Sequence, residues 1–159
     1  SESNSAAQYA LAKAQIEALG MTCIEKTISA IDEAKSAVES LAGVADAIYV
    51  PTDNTISDSM TSVSAAANAV KLPLIVGEAG MVVNGALATY GIDYYRLGKQ
   101  TAEMAVKLLK ADKPLDEIAK MAVVYQTDCV YAVNTDTAAA LGITIPEEIL
   151  SKATIYPSK

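Results

Sequence analysis

Four short stretches carry the groups with which this chain could hold a small charged molecule. They are Ser3 and Ser5 near the N-terminus, Thr52-Asp53-Asn54-Thr55 behind Pro51, Gly77-Glu78, and Asp93. Hydroxyls and free backbone amides at helix N-termini suit a carboxylate. The carboxylates of Asp53, Glu78 and Asp93 suit an ammonium, so the set matches the two ends of a zwitterion. Each residue also has a plainer use. Asp53, Asn54 and Thr55 can cap a helix that starts there, the reading that spacing alone favours. Asp93 can cap the helix holding Tyr94 and Tyr95, contact a ligand, or do both. Glu78, in Gly-Glu-Ala-Gly, reads as a solvated loop carboxylate. Gly77-x-x-Gly80 lacks the lysine and the glycine spacing of a phosphate loop. Tyr90, Tyr94 and Tyr95 read as core or interface residues before they read as stacking platforms, although the chain has no Phe or Trp to share that work.

The composition removes whole classes of catalysis. With no histidine, Ser-His-Asp and Cys-His chemistry, His-ligated zinc and His proton shuttling are all excluded. No nucleophile stands beside a base, no metal-ligand spacing occurs, and no cofactor is implied. An acid–base site built from two carboxylates stays open. Twelve basic against 19 acidic residues give a net charge of −7. Nucleic acid is therefore not an expected partner, since phosphate contacts need clustered Lys and Arg. No apolar run approaches the 18 or so residues of a membrane span. Cys23 and Cys129 each sit in an apolar run, as buried inert thiols or as the ends of a long-range disulfide.

The elements that must position these residues follow from periodicity in a 159-residue chain, a length that suits one domain. Tyr9, Ala12, Ile16 and Leu19 share a helical face after possible caps at Ser3-Asn4-Ser5, and Gly20 ends that helix. Ile31, Ala34, Val38 and Leu41 form a second stripe, and Ile56, Met60, Val63 and Ala67 a third. Strands are expected at Met21–Ile28, Ala45–Val50, Leu72–Val76 and Ala86–Gly91. The strands are continuous apolar runs, which predicts an α/β fold on a parallel, doubly wound sheet covered on both faces. A helix is expected over 94–110, a charged connector over 111–120, one long or interrupted strand over 121–133, and short helices at Thr135–Leu141 and Pro146–Ala153. The first helix follows no strand, so the chain is expected to be a segment of a longer protein.

Three blocks then carry a resemblance: Asp46-Ala-Ile-Tyr-Val-Pro-Thr-Asp-Asn-Thr55, Gly77-Glu78, and Gly85 to Met104 with Gly91-Ile-Asp-Tyr-Tyr-Arg-Leu-Gly98 at its centre. With the tail Leu141 to Leu150, they resemble the ABC-transporter substrate-binding proteins linked to tryptophan or tyrosine uptake, in the type I periplasmic-binding-protein fold. The resemblance implies two α/β lobes that close on a small molecule, an amino acid and aromatic, for delivery to an ABC permease. It implies an extracytoplasmic lipoprotein. By analogy with that fold, the loops carrying Ser3 to Ser5, Thr52 to Thr55, Gly77-Glu78 and Asp93 line the cleft. Residues 1–88 would belong to the C-terminal lobe, 89–122 would supply a hinge strand and a helix packing on the other lobe, and 123–159 would return. This chain is near half the family's length, so self-association through residues 94–110 is expected. Two other functions remain: the effector-sensing domain of a transcription regulator, and a small α/β isomerase using Asp53, Glu78 or Asp93.

Overall fold

The structure, a computed structural model, describes residues 3–112 and 114–157, and the side chains of all of these except 3, 4 and 114. Nine helices and five strands alternate through the described residues. Helices α1 (Ser3–Ala18) and α2 (Glu33–Glu39) precede strand β1 (Ile48–Val50). Then come α3 (Asn54–Ser57), α4 (Met60–Ala69), β2 (Leu74–Val76), α5 (Ala79–Val83) and β3 (Ala88–Gly91). The long helix α6 (Tyr94–Leu109) and α7 (Pro114–Ile118) lead to β4 (Val130–Asn134), α8 (Thr135–Leu141), α9 (Glu147–Leu150) and β5 (Ala153–Tyr156). The strands lie side by side in the order β1-β2-β3-β4-β5. Parallel pairing joins β1 to β2, β2 to β3 and β4 to β5, whereas β3 and β4 pair antiparallel, with Tyr90 opposite Tyr131. The class is α/β and the sheet mainly parallel, with one antiparallel junction that the sequence did not announce.

The core forms where the apolar stripes meet the sheet. Ala34 and Val38 of α2, Met60, Val63, Ala66 and Ala67 of α4, and Met81 and Val82 of α5 bury against Val50, Leu74, Val76 and Ala132. The spacing of three and four that marked these helices is thus the spacing of the face that leaves water. The opposite face of the sheet is open in part: Tyr49 and Ile75, paired across β1 and β2, are each 38% exposed and Tyr90 is 60% exposed, whereas Val133 of β4 on the same face is 1% exposed. Among the described residues the second face is thus covered only in part, at β4, and not over β1 to β3.

Other differences share a cause. Residues 21–28 form no strand, and neither do 121–129, although both runs are apolar and β-branched. Strand preference records the fit of a side chain to neighbouring strands, and these segments have no ladder partner among the described residues. Met21, Val123 and Tyr125 are exposed accordingly. The third stripe splits into α3 and α4. Helix α1 begins at Ser3, so Ser5 lies within its first turn and does not cap it. The short helix α5 and the strand β5 had no expectation attached to them.

The arm from α6 to residue 129 stands apart from this core. No residue of α6 is buried, with Tyr95 82% and Leu109 81% exposed. Leu97, Met104 and Leu108 of the expected stripe are half-buried. Cys23 and Cys129 are free thiols, each half-buried, so the structure pairs neither and buries neither.

Candidate ligand-binding site

At the carboxyl end of β1 the chain turns through Pro51 and Thr52, and α1 is hydrogen-bonded to that turn. The Ser5 hydroxyl donates to Asp53 Oδ2 at 2.8 Å, and it also lies 3.3 Å from the Thr52 carbonyl. Gln8 Oε1 accepts from the Thr52 amide at 2.9 Å. Asp53 caps α3, its Oδ1 accepting from the Ile56 amide at 3.2 Å. Ser5 is 4% and Asp53 1% exposed. A buried carboxylate is tolerated because hydrogen-bond donors meet it. The space beside Asp53 and Thr55 measures about 40 Å³, room for a few waters at roughly 10–15 Å³ each.

At the ends of β2 and β3 two glycines let the backbones close in. A Cβ on Gly77 would sit 2.5 Å from Thr52 Oγ1 and 2.6 Å from the Thr52 nitrogen. A Cβ on Gly91 would sit 2.6 Å from the Gly77 carbonyl oxygen. Both positions therefore exclude a side chain, and the three loops form one crest. Glu78, paired with Ile92 by an isolated bridge, caps α5: Oε2 accepts from the Gly80 amide at 2.6 Å and Oε1 from the Met81 amide at 2.8 Å. At 7% exposure it is not the solvated carboxylate that its loop sequence suggests.

Asp93 performs the same task for α6, its Oδ1 accepting from the amides of Tyr95 at 2.9 Å and Arg96 at 3.2 Å. Its other oxygen lies 3.4 Å from Arg96 Nε, and Arg96 Nη1 reaches Asp128 Oδ2 at 2.9 Å. The chain's only arginine thus ties the start of α6 to the segment returning toward β4. Partial burial holds the Tyr94 phenol above its ordinary pKa, and the nearby charge of Glu78 adds to the effect.

Of the residues singled out by sequence, Ser5, Thr52, Asp53, Gly77 and Glu78 converge on this crest. Asn54 and Thr55 are exposed at the first turn of α3, and Asp93 lies beyond Ile92 at the base of α6. The Ser3 side chain lies outside the described residues. Sequence reasoning missed Gln8, whose position one turn after Ser5 was the available signal, and Thr89. The Thr89 hydroxyl, 3% exposed, has no hydrogen-bond partner in the structure and lies 2.9 Å from where a Gly91 Cβ would be. Among the described residues no cluster of His, Cys, Asp or Glu could hold a metal ion, and no helix is long and apolar enough to cross a membrane.

Comparison with known proteins agrees with this architecture. A tyrosine-binding protein of Clostridioides difficile (strain R20291) is 39% identical over 121 residues, which cover 74% of this chain and 35% of that protein. The ABC domain from Streptococcus pneumonia, solved in complex with L-Trp, superposes with a TM-score of 0.85 at 34% identity, over 98% of this chain and 51% of that one. A substrate-binding protein with adhesive properties from Clostridium difficile, in its ligand-free, open structure, gives 0.77 at 38% identity over 100% of this chain and 52% of that one. The chain therefore spans about a third of the curated relative and about half of the solved chains. One of these relatives is named for tyrosine binding, one for substrate binding, and one was solved with L-Trp, which gives the isomerase reading no support. Residues 1–156 match the family described as ABC transporter substrate binding protein, and the chain belongs to that family.

Proposed function

We propose that this chain is the larger part of the C-terminal lobe of a solute-binding protein that captures an aromatic amino acid for an ABC importer. The observation that carries the reading is the crest itself. Loops from β1, β2 and β3 are locked together by Ser5–Asp53, by the two close-packed glycines and by the Glu78 cap, at the strand ends where open α/β sheets bind ligands. Relatives named for tyrosine binding or solved with L-Trp support an aromatic amino acid. With Asp53 and Glu78 already occupied by backbone amides and Ser5, the exposed Asn54 and Thr55 are the side chains of this lobe that meet the zwitterion. Asp93 is held by Arg96 and by the first amides of α6.

In this reading residues 1–88 and 123–159 belong to one lobe, and 89–122 cross to a second lobe on which the apolar residues of α6 pack. Ligand contacts from both lobes stabilise a closed state over an open one, a population shift about the segments at 92–93 and 128–130. The protein is held outside the cytoplasm by a lipid anchor and hands its ligand to a permease. Membership of this family speaks against the regulator reading.

This chain has no Trp, so L-tryptophan serves as the probe once its fluorescence is read against that of the two-lobed protein alone. Added to the protein with both lobes present and excited at the red edge where tyrosine scarcely absorbs, it should show saturable binding at micromolar or lower concentration. L-tyrosine should compete. Absence of both signal and competition would discard the ligand class while leaving the fold intact.

A further inference from the structure

Asn84 and Gly85 form the only Asn-Gly pair among the chain's five asparagines. They join α5 to β3, with Asn84 exposed at the end of the helix. An asparagine followed by glycine carries its own reaction, because no side chain on the next residue shields the backbone nitrogen that attacks the asparagine side chain. The fold leaves no choice at the second position. Gly85 has a φ of +105°, and a Cβ there would stand 2.9 Å from the Ser64 Cβ.

In the folded chain both reacting groups are engaged. The Gly85 amide, the nucleophile, donates to the Val82 carbonyl at 3.0 Å. The Asn84 side-chain amide, the leaving group, donates to the Gly80 carbonyl at 3.1 Å. Asn84 has a ψ of 20°, which turns the Gly85 nitrogen toward the Asn84 nitrogen and far round the Cα–C bond from Cβ. Ring closure needs that nitrogen against Cγ, so ψ must rotate and the Gly85–Val82 hydrogen bond must break first. The Gly85 carbonyl accepts from Thr137 Oγ1 at 3.0 Å, and the Ala86 amide donates to the Met81 carbonyl at 3.2 Å, which hold the turn closed.

We propose that Asn84 is a site of spontaneous deamidation, reactive only when the last turn of α5 unwinds. The Gly85 nitrogen attacks Asn84 Cγ. The new N–Cγ bond closes a succinimide ring, the Cγ–Nδ2 bond breaks, and the side-chain nitrogen leaves as ammonia with the former Gly85 amide proton. Water then opens the ring. Opening at Cγ gives aspartate; opening at the main-chain carbonyl gives isoaspartate, which routes the chain through one extra carbon. No oxidation or reduction occurs, and water is the sole co-reactant. Either product places a carboxylate at the C-terminal end of α5, and isoaspartate also lengthens the link to β3 where Thr137 holds it.

The test follows the 159-residue chain at mildly alkaline pH, folded and in urea, by peptide mapping with mass spectrometry and by isoaspartyl methyltransferase labelling. In urea Asn84 should deamidate fastest of the five asparagines. In the folded chain it should react at least about tenfold more slowly, because the rate follows the population of the opened turn. Thr137→Val removes the donor to the Gly85 carbonyl with little change in volume. It should speed the reaction several-fold in the folded chain and leave the rate in urea unchanged. Asn84→Gln should abolish labelling at this position in both states. Faster reaction at another asparagine in urea, equal rates folded and unfolded, or a folded rate unmoved by Thr137→Val would each overturn the proposal. None of these readouts depends on amino-acid binding at the crest.

Discussion

Asp53 shows how a residue chosen for ligand chemistry can serve the fold first. Its carboxylate accepts from Ser5 and from the Ile56 amide at 1% exposure, so it holds the β1 turn and α3 together. Asp53→Ala removes a helix cap and the shorter hydrogen bond of the buried Ser5 hydroxyl, so urea denaturation should show a loss of about 1–3 kcal/mol. Asn54→Ala, at an exposed neighbour, should change stability by no more than about 0.5 kcal/mol while weakening amino-acid binding in the two-lobed protein. Equal stability of the two variants would mean that the Ser5–Asp53 hydrogen bond does not hold the crest. Asn134 repeats the theme: fully buried, it caps α8 through the Thr137 amide at 2.9 Å and donates to the Val82 carbonyl at 3.2 Å. The caps at Asp53 and Asp93 were legible from residue type and spacing. The burial of Glu78 was not, because exposure depends on how β2 and β3 come together.

Elements divide into those that pack on the sheet and one that does not. The stripes of α2 and α4 meet it, and their periodicity was readable because burial on one face imposes it. Helix α6 carries an apolar stripe of the same kind, yet none of its residues is buried. Gly98 lies mid-helix with nothing within 4 Å of where a Cβ would stand, so Gly98→Ala should stabilise α6 by about 0.5–1 kcal/mol. Slower hydrogen exchange confined to the α6 amides would check this. Gly77→Ala should do the reverse, loosening the crest by about 1–3 kcal/mol because the added methyl meets Thr52 backbone. A neutral Gly77→Ala would show that the loops tolerate wider separation. Strands were less legible than helices: 21–28 and 121–129 have the composition of strands and lack the neighbours.

For the whole molecule, unpartnered surface is the main consequence. The open sheet face at Tyr49, Ile75 and Tyr90 and the arm bearing Tyr95 and Leu109 leave large side chains in water, a condition that favours association. The 159-residue chain should therefore self-associate at high concentration through residues 94–110, and Leu109→Lys should shift light scattering toward the monomer. A strictly monomeric profile for the unaltered chain would count against it.

By itself the sequence determined the α/β class, the helical stripes, the caps at Asp53 and Asp93, the loops that hold the crest residues and the exclusion of histidine chemistry. All of these follow from local spacing and residue type. Only the tertiary structure decided the antiparallel entry of β4, the addition of β5, the burial of Glu78 and the close approach of Gly77 to Thr52. Each depends on which distant segments become neighbours, and strand pairing and burial are properties of that neighbourhood.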